Sequence, residues 1–321
     1  MKVALCFIIS YDHKVNKEDL WIEWISQNSD LFNIYFHYKD PLKITSPWIR
    51  KHAMPYKYTM PTDYLHCVPA YFALMYYASI MDKDNQWFCF LTESCVPIIS
   101  PIKFREMFLT HYNHTFIKCQ PIWWNPQYSN RANLKHFSVE YHLANSPWFV
   151  LTRTDVDLCL KYVQQCNKEY HMICRGDVAN ESVFAIILGK YGRLRSKIYN
   201  ENTTITDWNR MTSATSPYVF HSVTSTDRVF IENYFKENQF SMFLRKIHAD
   251  YPDKFLKEII YEKTSRNMVS QNRMLYLEVC FFCKKIWGML GFFKYIMLFI
   301  CFFFCVFLAR KPDSLLYRAY I

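Results

Sequence analysis

A chain of 321 residues can hold one large core or two modest ones, and at 51% hydrophobic, 21% charged and only 5 glycines it is globular rather than fibrous or repetitive. Its formal net charge of +10, from 38 basic and 28 acidic residues, is spread without a long basic block. That distribution suits a solvated surface or an anionic small-molecule site and argues against an extended nucleic-acid track. The 12 cysteines lack paired metal spacing, since Cys280 and Cys283 form a CxxC with no second pair, and no metal is expected.

In chain order, Lys2 to Ser10 is a short apolar run that reads as a first buried strand rather than a signal peptide. A helix follows from about Lys17 to Ser26, with Leu20, Trp21, Trp24 and Ile25 on one face. Leu31 to Tyr38 reads as a second strand, so the chain opens strand, helix, strand, as a Rossmann-like sheet does. No GxGxxG loop accompanies it, and a nicotinamide or flavin cofactor has no support.

Pro41 to Pro61 reads as a proline-punctuated loop, and Asp63 to Ile80 as a helix with Pro69 near its start. The stretch QWFCFLTESCVPII, Gln86 to Ile99, reads as a central strand ending abruptly at Thr92-Glu93-Ser94. In open α/β sheets ligands bind beyond the carboxyl ends of strands, which makes Thr92, Glu93, Ser94 and Cys95 site candidates. A helix from Ile102 to Thr110 closes the second crossover.

From Asn113 to Pro147 the pattern loosens, and the PIWWNP segment at Pro121 to Pro126 is either a satellite cluster or a sugar-stacking platform. Pro147 to Thr152 reads as a short strand, and Thr154 with Asp157 as a capping box opening a helix to about Cys166. Asp177 to Leu188 begins acidic and turns apolar, as a helix does when its first turn faces a site. Ile198 to Trp208 reads as a strand or edge segment, and Phe235 to Ile247 as a helical stretch.

Gly288 to Ala309 is almost entirely apolar apart from Lys294 and long enough to span a bilayer. The expected organisation is a catalytic domain over 1–250, a linker over 251–285, a transmembrane helix over 286–309 and a tail over 310–321. Sequons occur at Asn113, Asn180 and Asn202. A glycan at Asn180 would crowd Glu181 at the start of the acidic-to-apolar segment, which favours a tail-anchored membrane protein whose folded domain lies on the cytosolic side.

Four segments together resemble the core-2/I-branching β-1,6-N-acetylglucosaminyltransferase family, including its plant and viral relatives. WFCFLTESCVPI resembles that family's strand and Ser-Glu-Ser-Cys-x-Pro turn, and Asn145 to Arg153 its Gly-Ser-x-Trp/Tyr-Phe-x-x-x-Arg segment. Asn180-Glu181-Ser182-Val183-Phe184 falls where the family has Asp-Glu before an apolar helix, and Phe243-Leu244-Arg245-Lys246-Ile247 resembles Phe-Ala-Arg-Lys-Phe. The resemblance implies an α/β GT-A-type fold and an inverting, metal-independent glycosyltransferase using a UDP-sugar donor and a glycan or glycoprotein acceptor.

By that resemblance Glu181 is the general base, Arg245 and Lys246 face the nucleotide diphosphate, and Glu93 lies near a sugar. Ser94, Ser146, Trp148 and Phe149 would shape the site. The sequence departs from the family where Asn145 replaces glycine, Pro147 follows Ser146 and Asn180 replaces aspartate. A membrane-tethered glycan-binding protein without turnover is therefore the alternative. Two DxD sequences, Asp82-Lys83-Asp84 and Asp155-Val156-Asp157, lack the strand-end placement of a nucleotide-sugar metal motif. Retaining glycoside hydrolysis by Glu93 and Glu181 would leave the late basic pair idle.

Overall fold

The computed structural model describes residues 1–9, 12–195 and 198–262. The chain opens with β1 (Lys2–Ile8), α1 (Glu18–Ser26), β2 (Phe32–His37), α2 (Pro47–His52), α3 (Val68–Met81) and β3 (Asn85–Thr92). Strand β1 lies between β2 and β3 and is parallel to both. Being covered on both faces, it reads as an unbroken apolar run rather than an alternating one.

Its alternation appears instead in which layer each side chain joins. Val3, Leu5 and Phe7 of β1, with Trp87, Cys89 and Leu91 of β3, enter one core layer. Ala4 and Cys6, with Phe88 and Phe90, enter the other. This period of two is what a pleated strand imposes. Helix α1 covers the first layer, and its two indoles fasten it to the chain after β3. Trp21 Nε1 donates to the Cys95 carbonyl at 2.9 Å and Trp24 Nε1 to the Ile99 carbonyl at 2.8 Å.

Next come β4 (Val96–Pro97), α4 (Pro101–His111), β5 (Thr115–Phe116), β6 (Cys119–Pro121), β7 (Leu143–Asn145), β8 (Val150–Thr152), α5 (Arg153–Gln165), α6 (Asn167–Cys174) and α7 (Val183–Lys190). Ser100 caps α4, its hydroxyl accepting from Lys103 N at 3.2 Å, and Pro101 fills the first turn where no N–H is required. Phe104 of α4 joins the α1 layer, while α3, α5 and α7 fill the opposite one through residues such as Leu74, Val156 and Phe184.

The chain closes with β9 (Ile198–Tyr199), β10 (Thr204–Thr206), α8 (Ser225–Glu237), β11 (Phe243–Arg245) and α9 (Asp253–Glu262). The main sheet has the order β2-β1-β3-β8-β5-β9, with β8 antiparallel to β3. A smaller sheet, β10-β11-β4, stands at the carboxyl end of β3, and β6 pairs with β7. The result is a mixed α/β fold around a central sheet, an arrangement that fits a GT-A-like core.

The structure differs from the sequence expectation in five places. Thr152 rather than Thr154 caps α5, its hydroxyl accepting from Asp155 N at 3.3 Å. The Pro41–Pro61 loop contains α2, capped by Ser46 and entered through Pro47. The helix expected from Asp63 begins at Val68, because Asp63 instead folds back to accept from Leu65 N and His66 N. Phe235 to Ile247 is not one helix, since Phe243–Arg245 is a strand between two distant partners. Residues 253–262, placed in the linker by sequence, form α9, whose Leu256 and Ile260 are buried in the α1 layer. Among the described residues no helix is long and apolar enough to cross a membrane, and the expected span at 286–309 lies outside them.

Candidate active site

Where β3 ends, Glu93 and Ser94 make a turn that two segments distant in sequence grip. Asn16 N donates to the Glu93 carbonyl at 2.9 Å, and Ile247 N to the Ser94 carbonyl at 2.9 Å. Asn16 Nδ2 donates to the Ile247 carbonyl at 2.6 Å, which ties the segment leading into α1 to the end of β11. The sheet order therefore brings Arg245 and Lys246 beside Glu93, about 150 residues away in sequence. Ser94 is buried in this turn, with its hydroxyl 3.3 Å from that of Thr92.

Arg245 is held from two sides. Its Nε donates to Thr92 Oγ1 at 3.4 Å, and its guanidinium lies 4.4 Å from the centre of the Trp148 ring. A guanidinium over an aromatic face is attracted by the ring quadrupole and loses freedom of orientation. Lys246 is half-buried. Burial lowers its pKa, the adjacent Arg245 charge lowers it further, and Glu93 acts in the opposite sense.

Glu181 occupies a 3-10 turn, Ala179–Glu181, ahead of α7. The turn is fixed by a tight approach of two loops. Ala132 N donates to the Asp177 carbonyl at 2.9 Å and Asp177 N to the Asn130 carbonyl at 3.0 Å. Gly176 lies so close to this loop that a β-carbon would stand 2.3 Å from Asn133 N. Val178 then takes φ 44°, a left-handed conformation costly for a β-branched residue, and its N–H donates to the Leu65 carbonyl at 2.8 Å.

This loop contact delivers Arg131 to Glu181. Arg131 Nη2 donates to Glu181 Oε2, while the guanidinium lies 4.4 Å from the Trp124 ring and 5.4 Å from Trp123. Burial raises the Glu181 pKa above its ordinary value. The charge and hydrogen bond of Arg131, and the more remote charge of Arg245, pull it back. The result is a carboxylate kept in a partly desolvated setting but steered by cations, the environment expected of a general base.

Glu181, Arg131 and Ser146 line a cleft of about 1030 Å³, with Trp123, Trp208 and Tyr64 among its aromatic walls. Asn145, standing where the resembled family has glycine, is structural here. Its Nδ2 donates to the Asn180 carbonyl at 2.8 Å and its Oδ1 accepts from Ala185 N at 3.1 Å. That pair of bonds holds the Glu181 turn against β7.

The candidates thus fall into two groups. Glu181 and Ser146 face the cleft, while Arg245, Lys246, Glu93 and Trp148 gather at the end of β3 and β11. Phe149 is 1% exposed and packs on Phe184 with ring centres 4.7 Å apart, supporting the Glu181 segment from the core. Arg131 was missed by sequence reasoning; the adjacent Trp123 and Trp124 were the available signal.

Both DxD sequences have structural duties. Asp82 bonds Asn33 at 2.8 Å and Lys2 at 3.3 Å ahead of β3. Asp155 is fully buried and bound by Arg193 at 2.6 Å and by the Thr115 hydroxyl at 2.5 Å.

The family model described as Branch, Core-2/I-Branching enzyme, matches residues 5–231, more than half of the chain. The match includes Glu93, Arg131, Trp148 and Glu181 and stops short of Arg245 and Lys246. No curated protein matches the chain. On this match the chain belongs to the Core-2/I-branching enzyme family of glycosyltransferases.

Proposed function

We propose that the protein is an inverting, metal-independent transferase that moves a sugar, N-acetylglucosamine first among candidates, from a UDP-sugar to a glycan hydroxyl. The observation that carries this reading is the position of Glu181. It lies on the wall of a large aromatic cleft, has a pKa raised by burial, and is within electrostatic reach of Arg245.

In this mechanism the acceptor glycan occupies the cleft and Glu181 takes the proton from its attacking hydroxyl. The hydroxyl oxygen bonds to the anomeric carbon as the bond to the diphosphate oxygen breaks on the opposite face. One displacement gives inversion. Arg245 and Lys246 take up the charge that develops on the departing diphosphate, Arg245 through its fork of donors and Lys246 as a point charge. Two cations at this place, Arg245 held by Thr92 and Trp148 and Lys246 beside it, together with the structural engagement of Asp82 and Asp155, support a reaction that needs no metal.

Asn180 is 8% exposed and its backbone carbonyl holds Asn145, so a glycan attached during synthesis would obstruct this fold. The eight cysteines among the described residues are all unpaired. Both features support a catalytic domain on the cytosolic side of the membrane. Protection of that domain from protease in sealed vesicles would contradict this placement.

The test of the transferase reading is incubation of the full chain with a panel of UDP-sugars and glycan acceptors in the presence of EDTA. Transfer with an inverted anomeric coupling in the product's NMR spectrum is expected. Retention, or transfer only after Mn2+ or Mg2+ is added, would overturn the mechanism. Glycan binding without transfer from any donor would support the alternative of a binding protein.

A further inference from the structure

A second cluster of chemistry lies outside the cleft, on the paired segments around Phe220 and Ile247. His248 N donates to the Phe220 carbonyl at 2.9 Å and Phe220 N to the Lys246 carbonyl at 2.9 Å, which sets His221 and His248 side by side. Their rings lie 4.3 Å apart at an interplanar angle of 30°. Tyr251 N donates to the His248 carbonyl at 3.2 Å, and this turn brings Asp250 to the same place. Each of the three is the chain neighbour of a fully buried residue, Phe220, Ile247 or Tyr251, so the backbone beneath the cluster is fixed by the core.

One oxygen of Asp250, Oδ2, is 3.5 Å from His221 Nε2 and 3.4 Å from His248 Nδ1. One carboxylate oxygen is thus set against a nitrogen of each ring. The Asp250 backbone N–H also points at His248 Nδ1, from 3.2 Å, and an ion bound at that nitrogen would take the place of this contact.

The spacing also selects the kind of cation. Tetrahedral bonds of about 2.0–2.1 Å to imidazole nitrogen or carboxylate oxygen give ligand-to-ligand edges of about 3.3–3.4 Å. The two Asp250 distances match that edge, and one atom from each of the three residues falls within 4.8 Å of the others. Two imidazoles and one carboxylate suit a borderline ion such as Zn2+ rather than Mg2+ or Ca2+, which favour oxygen. Among the described residues this is the cluster that meets such a spacing.

We propose that His221, His248 and Asp250 bind one divalent transition-metal ion, with Zn2+ the best fit, in a surface site separate from the transfer chemistry. Three protein ligands leave the fourth position to water, in keeping with the exposure of the cluster. The ion clips the Phe220 segment to the segment that follows Lys246, and its effect is on the stability of that edge rather than on the displacement at the anomeric carbon.

The experiment is a Co2+ titration of the full chain after stripping with EDTA and desalting, followed by displacement with Zn2+. Wild type is expected to take up one equivalent with visible d–d bands lacking thiolate charge transfer, which separates this site from the cysteines. That equivalent should vanish in the double variant His221→Ala/His248→Ala and in Asp250→Asn, which preserves side-chain shape. Zn2+ should raise the melting temperature of wild type and of neither variant, while all three melt alike in EDTA. The same bands and stoichiometry in wild type and in both variants would overturn the site, whatever the outcome of the transfer assay.

Discussion

The guanidinium of Arg131 donates to Glu181 Oε2 while one of its faces rests on Trp124. This pairing sets both the direction and the basicity of the carboxylate. Burial raises the Glu181 pKa and Arg131 lowers it, so removing Arg131 lets the burial effect dominate. A general base acts only when ionised. Arg131→Met is therefore expected to move the acidic limb of the kcat/KM profile to higher pH, with Arg131→Lys intermediate. An unmoved limb in Arg131→Met would show that the pair does not tune the base.

Trp148 steadies Arg245, the residue proposed to meet the donor diphosphate. With the ring 4.4 Å from the guanidinium, Trp148→Leu removes an attraction of about 0.5–2 kcal/mol and frees the side chain to wander. The expected result is weaker UDP binding by about 2- to 30-fold, read by calorimetry. In Arg245→Ala the further Trp148→Leu change should cost little, since the two act as a unit. Full additivity would separate them.

Gly176 should tolerate no side chain. A β-carbon there would meet Asn133 N at 2.3 Å and the Ala132 backbone at 2.5 Å, and backbone cannot move aside as a flexible side chain can. Gly176→Ala is expected to lose about 1–3 kcal/mol in urea unfolding. It should also reduce turnover in the remaining folded protein, because the same loop contact holds Arg131 beside Glu181.

Arg210 anchors the segment whose neighbours Trp208, Asn209 and Met211 line the cleft. It bonds Asp207 at 2.6 Å and Asp227 at 2.9 Å, both carboxylates being essentially inaccessible, and its guanidinium lies 4.0 Å from the Tyr218 ring. Arg210→Met leaves two buried carboxylates without their cation, at a cost of about 3–5 kcal/mol. Chemical denaturation should show this loss. Adding Asp207→Asn and Asp227→Asn to the variant should restore part of it by removing the stranded charges.

The parts of the fold legible in sequence were those with an unbroken apolar run or a single apolar face. Strands β1 and β3 could be read from their unbroken apolar runs, Val3 to Ile8 and Trp87 to Leu91, and α1 because Leu20, Trp21, Trp24 and Ile25 recur on one face. Strand β11 was misread as helix because three residues carry no period, and its partners, β10 and β4, lie far away in the chain. Arg131 escaped for a related reason. It is one arginine in a loop, and its partner is 50 residues away. Glu181 was placed at a helix start, whereas the left-handed turn at Val178 puts it in a separate 3-10 turn. No sequence preference announces a β-branched residue in that conformation.

The central claim is that Glu181 takes the proton from the acceptor, and the most direct measurement is single-turnover transfer by Glu181→Gln at saturating UDP-sugar and acceptor. Glutamine keeps the size and much of the bonding to Arg131 but cannot serve as the base. The account predicts a rate lower by about 100- to 10,000-fold with UDP affinity unchanged. Transfer at the wild-type rate would contradict it.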